Sequence, residues 1–242
     1  MTAEHRTVSR IIAILETVAA ADAPVPLHAL AGAADAPKSS VHGFVRGLVH
    51  SGYLVDEGRG YVLGAGVHAL LGPTGTTLPL LLGETCEEIA VRSGETVTVA
   101  LRVGEDSVVY VHTEPSAYEV CYSPRLRQRR PLLPTSSGKV FLALADEADR
   151  VRALESAEPA AARTFLGELA AIRESGLAFN RGETVPDVGA VAAGVHHAGA
   201  LIAAVTVAGP LSRVEPRLDR FGALAREVLG ANGFAGSVGT AD

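Results

Sequence analysis

The 242-residue chain has no tryptophan, one methionine and two cysteines, with six phenylalanines and five tyrosines as its only aromatics besides histidine. So few large rings argue against an aromatic cage or a base-stacking platform. Cys86 and Cys121 stand in no metal-ligand spacing, so a reduced, cytoplasmic protein is expected and a disulfide is not needed. The opening MTAEHRTVSR lacks the apolar centre of a secretory signal. The longest apolar run, 198–209, falls short of the ~20 residues that span a bilayer, and it reads as a buried strand with no membrane partner. Basic charge is also scarce. The net charge of −6 gives no global field that would attract nucleic acid, so a basic face must be local if it exists. What the chain does have is 48% hydrophobic residues, much of it alanine, against 20% charged ones, enough for a sizeable core in one or two domains.

The first third reads as helices followed by a hairpin. Over 8–21, Ile11, Ile12, Leu15 and Val18 recur at helical spacing, with Thr7 or Ser9 as cap. A break at 22–26 precedes a short helix over 27–34, and Asp35-Ala36 makes a turn. Pro37 then suits the first position of a third helix, 37–50. Val41, Phe44, Val45 and Leu48 would bury one side of it. Lys38, His42, Arg46 and His50, four apart, would line another, while Ser39, Ser40 and Gly43 keep that side open to a close neighbour. No acidic residue lies between Asp35 and Asp56. Apolar stretches on both sides of 56–60 predict a hairpin with Arg59 at its tip. This order is that of a winged helix-turn-helix.

The fold class expected is α+β. Helices are predicted over 64–71 and 78–92, with an interruption at 72–75. TVTVALRV and SVVYVH form a hairpin around 104–106. The stretch 114–131 is irregular and carries Arg125, Arg127, Arg129 and Arg130. A helix follows Thr135-Ser136-Ser137-Gly138, and 146–176 is helical with a break near Pro159. VGAVAAGV and LIAAVTVAG form a second hairpin, and an amphipathic helix over 215–230 closes the chain. The units expected are a winged helix-turn-helix over 1–66, a connector over 67–77, a larger α+β domain over 78–235 and a flexible tail over 236–242.

Three segments, in order, resemble the IclR family of bacterial regulators. They are SRIIAILE leading into APKSSVHGFVRGLVHSGYL, then PLLPTSSGKVFLA, then ESGLAFNRGETVPDVGAVAAGV with LIAAVTVAGPLSRV. The resemblance runs from about residue 7 to 230. It implies a GAF-like effector domain with a mainly antiparallel sheet, a homodimer through the DNA-binding half and often a dimer of dimers, with double-stranded operator DNA and a small-molecule effector as partners. The DNA-contacting candidates are Lys38, Ser39, Ser40, His42, Gly43, Arg46 and Arg59. Arg46 and Lys38 can reach base edges or phosphates, the two serines phosphates at a helix start, and Arg59 the backbone or minor groove. His50 reads equally well as a packing residue. Residues 1–66 hold five Lys+Arg against six Asp+Glu, so tight binding would need a dimer reading two half-sites.

For the effector, the resemblance points to Leu133, Ser136, Ser137, Gly138, Asn180, Ala190, Thr206 and Ala208. The helix start at 135–138 offers amides for an anion, although it lacks the upstream glycine of a phosphate-binding loop. Alanines at 190 and 208, where the family often has Cys or Ser, together with Leu133 for His and Gly194 for Pro, remove hydrogen-bond donors. The effector expected therefore has a larger apolar or aromatic part than a two- or three-carbon keto acid. Neither cofactor nor metal is called for. Two other readings stay open: a hydrolase using Ser136 or Ser137 with His112, His196 or His197, and a metal sensor using those histidines with Cys121. The arginines of 125–130 read as a solvated loop, a subunit contact or an extra nucleic-acid patch. The lever between the halves is expected in 64–82, with a hinge at Gly72-Pro73.

Overall fold

The computed structural model describes residues 5–64, 66–67 and 77–235, with side chains from 81 in the last stretch. The hinge expected at Gly72-Pro73, most of the connecting helix and the tail from 236 lie outside these residues. The chain divides into two compact units, Met1–Leu78 and Pro79–Asp242.

In the first unit α1 (Arg6–Ala19), α2 (Leu27–Ala33) and α3 (Lys38–His50) precede a two-stranded antiparallel sheet, β1 (Leu54–Asp56) and β2 (Tyr61–Leu63). Ile14 and Val18 are the buried residues of α1 and Leu15 packs against them, as the spacing of Leu15 and Val18 predicts, whereas Ile12 is 41% exposed and Ile14 takes its place in the core. Neither Thr7 nor Ser9 caps α1: the helix starts earlier, with His5 as N-cap and no side-chain cap bond. Leu30, Val41, Val45 and Leu54 complete the core with Val25. Each large aliphatic buried here contributes roughly 1.5–3 kcal/mol. Pro37 is the N-cap of α3 rather than its first helical residue. Its ψ of 140° is extended, and its carbonyl accepts from the amides of Ser40 and Val41. The wing is tied down by Val25, whose N–H and C=O pair with those of Tyr61 at 2.9 Å each. Gly60 allows this approach, since a Cβ there would lie 2.8 Å from the backbone carbons of Pro24 and Val25.

The second unit opens with α4 (Thr77–Ser93). Its sheet has six strands, all antiparallel, in the order β5 (Arg129–Pro131), β4 (Ser107–Glu114), β3 (Thr96–Val103), β8 (Ala200–Pro210), β7 (Val188–His197), β6 (Leu177–Arg181). The two edge strands, β5 and β6, are not among the strands expected from periodicity. They are short, and their extended conformation comes from pairing with β4 and β7. The helices are α5 (Ser136–Leu144), α6 (Glu147–Ser156), α7 (Pro159–Ser175), the single turn α8 (Leu211–Val214) and, after a 3-10 turn, α9 (Leu218–Ala231).

Strand alternation places two kinds of side chain on the two faces of the sheet. Val97, Val99, Val191, Val205 and Val207 are buried on one face, where Gly189 and Gly209 meet Val214 of α8 and Val191 meets Gly222 of α9. The other face carries Ala100, Ala192 and Ala204, which pack with Val140, Phe141 and Leu142 of α5. Thr98, Ala190, Thr206 and Ala208 continue that small-residue face beyond the helix, and the space they leave is a cavity.

Candidate functional site

The exposed side of α3 is shaped by what the opposite side buries. With Val41 and Val45 in the core, Lys38, Ser39, Ser40, His42, Gly43 and Arg46 are all exposed. His50 is exposed as well, so the packing role considered for it does not apply. As the first two helical residues, Lys38 and Ser39 have amides with no intrahelical acceptor, and a Cβ at Gly43 or Gly47 would meet nothing within 4 Å. Arg59 is exposed at the wing tip, where the Asp56 carboxylate accepts from the amide of Gly58 at 2.8 Å and Gly58 takes φ +77°. Among the described residues no ion pair engages Lys38, Arg46 or Arg59, so a cationic face is available to phosphate.

In the second unit the cavity encloses about 370 Å³ of atom-free space, counting its open mouth. Ser136, Asn180, Ala190, Thr206 and Ala208 line it, joined by Thr98, Tyr110, Tyr122, Thr135, Thr184, Val185 and Val188. Leu133, Ser137 and Gly138 are not in the lining. Leu133 is buried in the hydrophobic core. Gly138 is where α5 touches the preceding strand end: a Cβ there would lie 1.9 Å from the Leu132 carbonyl oxygen. The wall residues that sequence reasoning missed come mainly from β3, β4 and the loops flanking β4 and β6. The signal available for Thr98 was its place in the alternation of TVTVALRV.

Among the described residues no charged side chain lines this cavity. The Thr135 hydroxyl accepts from the Gly138 amide at 3.1 Å and the Thr135 carbonyl accepts from Lys139 N–H, which leaves the amides of Ser136 and Ser137 without an intrahelical acceptor. The partial positive charge of a helix start there suits a carboxylate. Thr206 is 3% exposed, and its hydroxyl has no hydrogen-bond partner among the described residues. The Tyr110 hydroxyl, close to those of Ser137 and Tyr122, is pushed up to about 12 by burial, so it remains a neutral donor. Arg130 stacks on the Tyr110 ring at 5.2 Å, which assigns that arginine of the 125–130 run to support of the wall. Asn180 is already engaged: its amide donates to Pro134 O and Thr184 Oγ1, both at 2.8 Å, and its carbonyl accepts from Glu183 N–H at 3.2 Å.

Among the described residues no hydrogen bond joins Ser136 or Ser137 to His112, His196 or His197. His112 is paired with Glu114 at 2.8 Å rather than with a serine, and the Cys86 thiol, near the same carboxylate, is pushed up to about 12, chiefly by burial. Burial also lowers the pKa of His196. Among the described residues no group of three or more His, Cys, Asp and Glu could hold a metal ion, and no helix is long and apolar enough to cross a membrane.

Comparison with known proteins completes the picture. The family model described as the IclR helix-turn-helix domain matches residues 7–58, and that described as the bacterial transcriptional regulator IclR C-terminal matches residues 80–229. A protein of Cupriavidus necator described as a probable transcriptional regulator, SauR, is 30% identical over 85% of this chain and 86% of its own. The HTH-type transcriptional regulator KdgR of Escherichia coli is 26% identical over 81% of each chain. Among solved structures, an IclR transcriptional regulator from Alicyclobacillus acidocaldarius superimposes with a TM-score of 0.77 at 19% identity, covering 94% of this chain and 97% of that one. An IclR homologue from Microbacterium hydrocarbonoxydans, complexed with 4-hydroxybenzoate, gives 0.73 at 22% identity, covering 93% and 99%. These matches are to regulators of transcription and not to enzymes. The α+β chain with its helix-turn-helix and antiparallel C-terminal domain is a DNA-binding transcriptional regulator of the IclR family.

Proposed function

We propose that the chain binds its operator as a homodimer, assembling further into a dimer of dimers, and that a small aromatic carboxylate in the cavity of the second unit modulates this binding. The observation that carries the effector reading is the cavity itself. Among the described residues its walls hold hydroxyls and aliphatic carbons but no charged side chain, and it includes the free amide end of α5 and the Thr206 hydroxyl, which has no partner among those residues. A carboxylate on the amides of Ser136 and Ser137, a ring against Val185, Val188, Ala190 and Ala208, and a polar substituent toward Thr206 or Tyr110 would satisfy it. The complex of the Microbacterium homologue with 4-hydroxybenzoate supports this class. Leu133, Gly138 and the side chain of Ser137 then shape the site from behind, and Asn180 holds its rim.

On the DNA side Arg46 and Lys38 read base edges, Ser39, Ser40 and the helix-start amides hold phosphate, His42 and Gly43 allow close approach, and Arg59 holds the backbone beside the wing. The DNA-binding unit covers 1–66, joined through 67–77 to an effector unit over 78–235, and the protein works in the cytoplasm beside its operator. Binding modulation follows from a different effector affinity in two quaternary arrangements. The test is calorimetric titration of the full chain with 4-hydroxybenzoate, benzoate and pyruvate, each repeated in a mobility-shift assay on the DNA upstream of the chain's own gene. Binding of the aromatic acids with a shift in DNA affinity is expected. Binding of pyruvate alone would overturn the effector class.

A further inference from the structure

We propose that Lys139, Glu168 and Glu183 form a latch that controls opening of the cavity mouth. The inference rests on the effector reading above and adds to it the groups that govern how fast the effector enters and leaves.

Lys139 belongs to α5 but lies outside the cavity lining, and its side chain is fully buried. Its ammonium donates to Glu168 Oε2 and to the Phe179 carbonyl, both at 2.9 Å, and is ion-paired with Glu183 Oε2 at 2.6 Å. The two carboxylates come from different kinds of element. Glu168 sits on α7, whereas Glu183 sits on the loop 182–187 that joins β6 to β7. That loop supplies Thr184 and Val185 to the cavity wall, and both residues are exposed there, so the loop forms part of the mouth. The base of the loop is anchored by backbone bonds, Leu211 N–H to Asp187 O at 2.7 Å and Gly182 N–H to Val188 O at 3.0 Å, while its tip is held by the Glu183 amide donating to Asn180 Oδ1, the Thr184 hydroxyl accepting from Asn180 Nδ2 and the Glu183 ion pair, so opening is a motion of the tip, 183–185. Gly182, at φ +82°, turns the chain into the loop where a Cβ would lie 2.6 Å from Pro186 O.

An isolated buried ammonium is among the costliest groups a fold can hold, and removing its only counter-ion is strongly unfavourable. Here the counter-ion is duplicated. When the tip swings outward, Glu183, already 26% exposed, moves into water while Glu168 and Phe179 O keep Lys139 paired. The second carboxylate therefore lowers the cost of opening, and the first holds the loop shut. Glu183 and Glu168 are positioning residues with opposite effects on the same motion: loss of charge at Glu183 favours the open loop, and loss of charge at Glu168 makes Glu183 the last counter-ion and favours the closed one.

The experiment uses the full chain as wild type, Glu183→Gln and Glu168→Gln. Amide hydrogen exchange over residues 183–185 is measured without ligand, and stopped-flow dissociation is measured with 4-hydroxybenzoate. Glu183→Gln is expected to speed both by about tenfold, and Glu168→Gln to slow both by about the same factor. A merely structural role would move both variants in one direction, and that result, or unchanged exchange in Glu183→Gln, overturns the latch. Exchange that splits in opposite directions while 4-hydroxybenzoate fails to bind upholds the latch and overturns the ligand class instead.

Discussion

The fully buried carboxylate of Glu95 is gripped at both oxygens by Arg213, Nε to Oε1 at 2.6 Å and Nη2 to Oε2 at 2.8 Å. Gly209 makes the space, since a Cβ there would lie 2.3 Å from Glu95 Oε2. The same guanidinium lies over the Tyr118 ring at 4.3 Å and donates to the Val120 carbonyl. Next to it, the Thr96 hydroxyl donates to the Tyr122 carbonyl at 2.6 Å. Together these contacts hold the segment that brings Tyr122 to the cavity.

Removing Arg213 should therefore cost more than losing a surface ion pair. Arg213→Ala leaves a buried carboxylate unpaired and is expected to lower unfolding stability by about 3 kcal/mol. Urea denaturation should show that adding Glu95→Gln to this variant restores part of the loss.

Gly138→Ala places a methyl 1.9 Å from the Leu132 carbonyl oxygen, a contact that only a shift of α5 can relieve. A loss on the order of 2–3 kcal/mol is expected from overpacking, measured by thermal or denaturant unfolding, with weaker effector binding because the free amides of that helix start move with it.

Thr206→Val keeps the side-chain shape and removes the unpartnered hydroxyl. The free protein should gain up to about 1 kcal/mol, because a buried unsatisfied polar group is lost, while affinity for 4-hydroxybenzoate falls. Equal losses of benzoate and 4-hydroxybenzoate affinity, measured by calorimetry, would place the ligand's hydroxyl elsewhere.

Arg46→Ala should weaken specific operator binding by about 1–3 kcal/mol and relax sequence preference, whereas Arg59→Ala should weaken all DNA alike and reduce the salt slope by about one. Fluorescence polarisation on operator and scrambled duplexes over a range of salt separates the two.

Alkaline pH should expose the two raised groups. Cys86 goes from 9.0 to about 12 and Tyr110 from 10.0 to about 12 on folding. A raised pKa means that the folded state holds the proton longer, so its stabilisation is complete below the unfolded value and is lost as pH rises toward the folded one. Stability is expected to be level between pH 7 and 9, then to fall between 9 and 12. Cys86→Ala and Tyr110→Phe should flatten that fall, and in the wild type the exposed Cys121 should react with thiol reagents well before Cys86.

Much of the first unit was legible from local chemistry. Helical spacing at Val41 and Val45 determines which side of α3 is buried, so the exposure of Lys38, His42 and Arg46 on the remaining surface follows from periodicity alone. The paired glycines around Arg59 set the wing tip in the same way. The boundary details were less legible: Pro37 suits a cap or a first helical residue equally, because its φ is fixed in both.

The second unit shows where sequence stops. VAAGV and AAVTVA read as apolar runs, and period-2 alternation separates valines from small residues, but nothing local says that the small face continues past a helix and leaves a cavity. That depends on where α5 begins against β3, β7 and β8. The strand at Leu177–Arg181 likewise exists through its pairing with β7, and Lys139, which composition would place at the surface, is buried because Glu168 and Glu183, far along the chain, meet it there. The sequence by itself determined the helix-turn-helix, its basic face and the family, since these rest on short-range periodicity and motif order. The cavity wall, the engaged state of Asn180 and the paired carboxylates on Lys139 were decided by tertiary structure, because each is a contact between residues that only packing brings within reach.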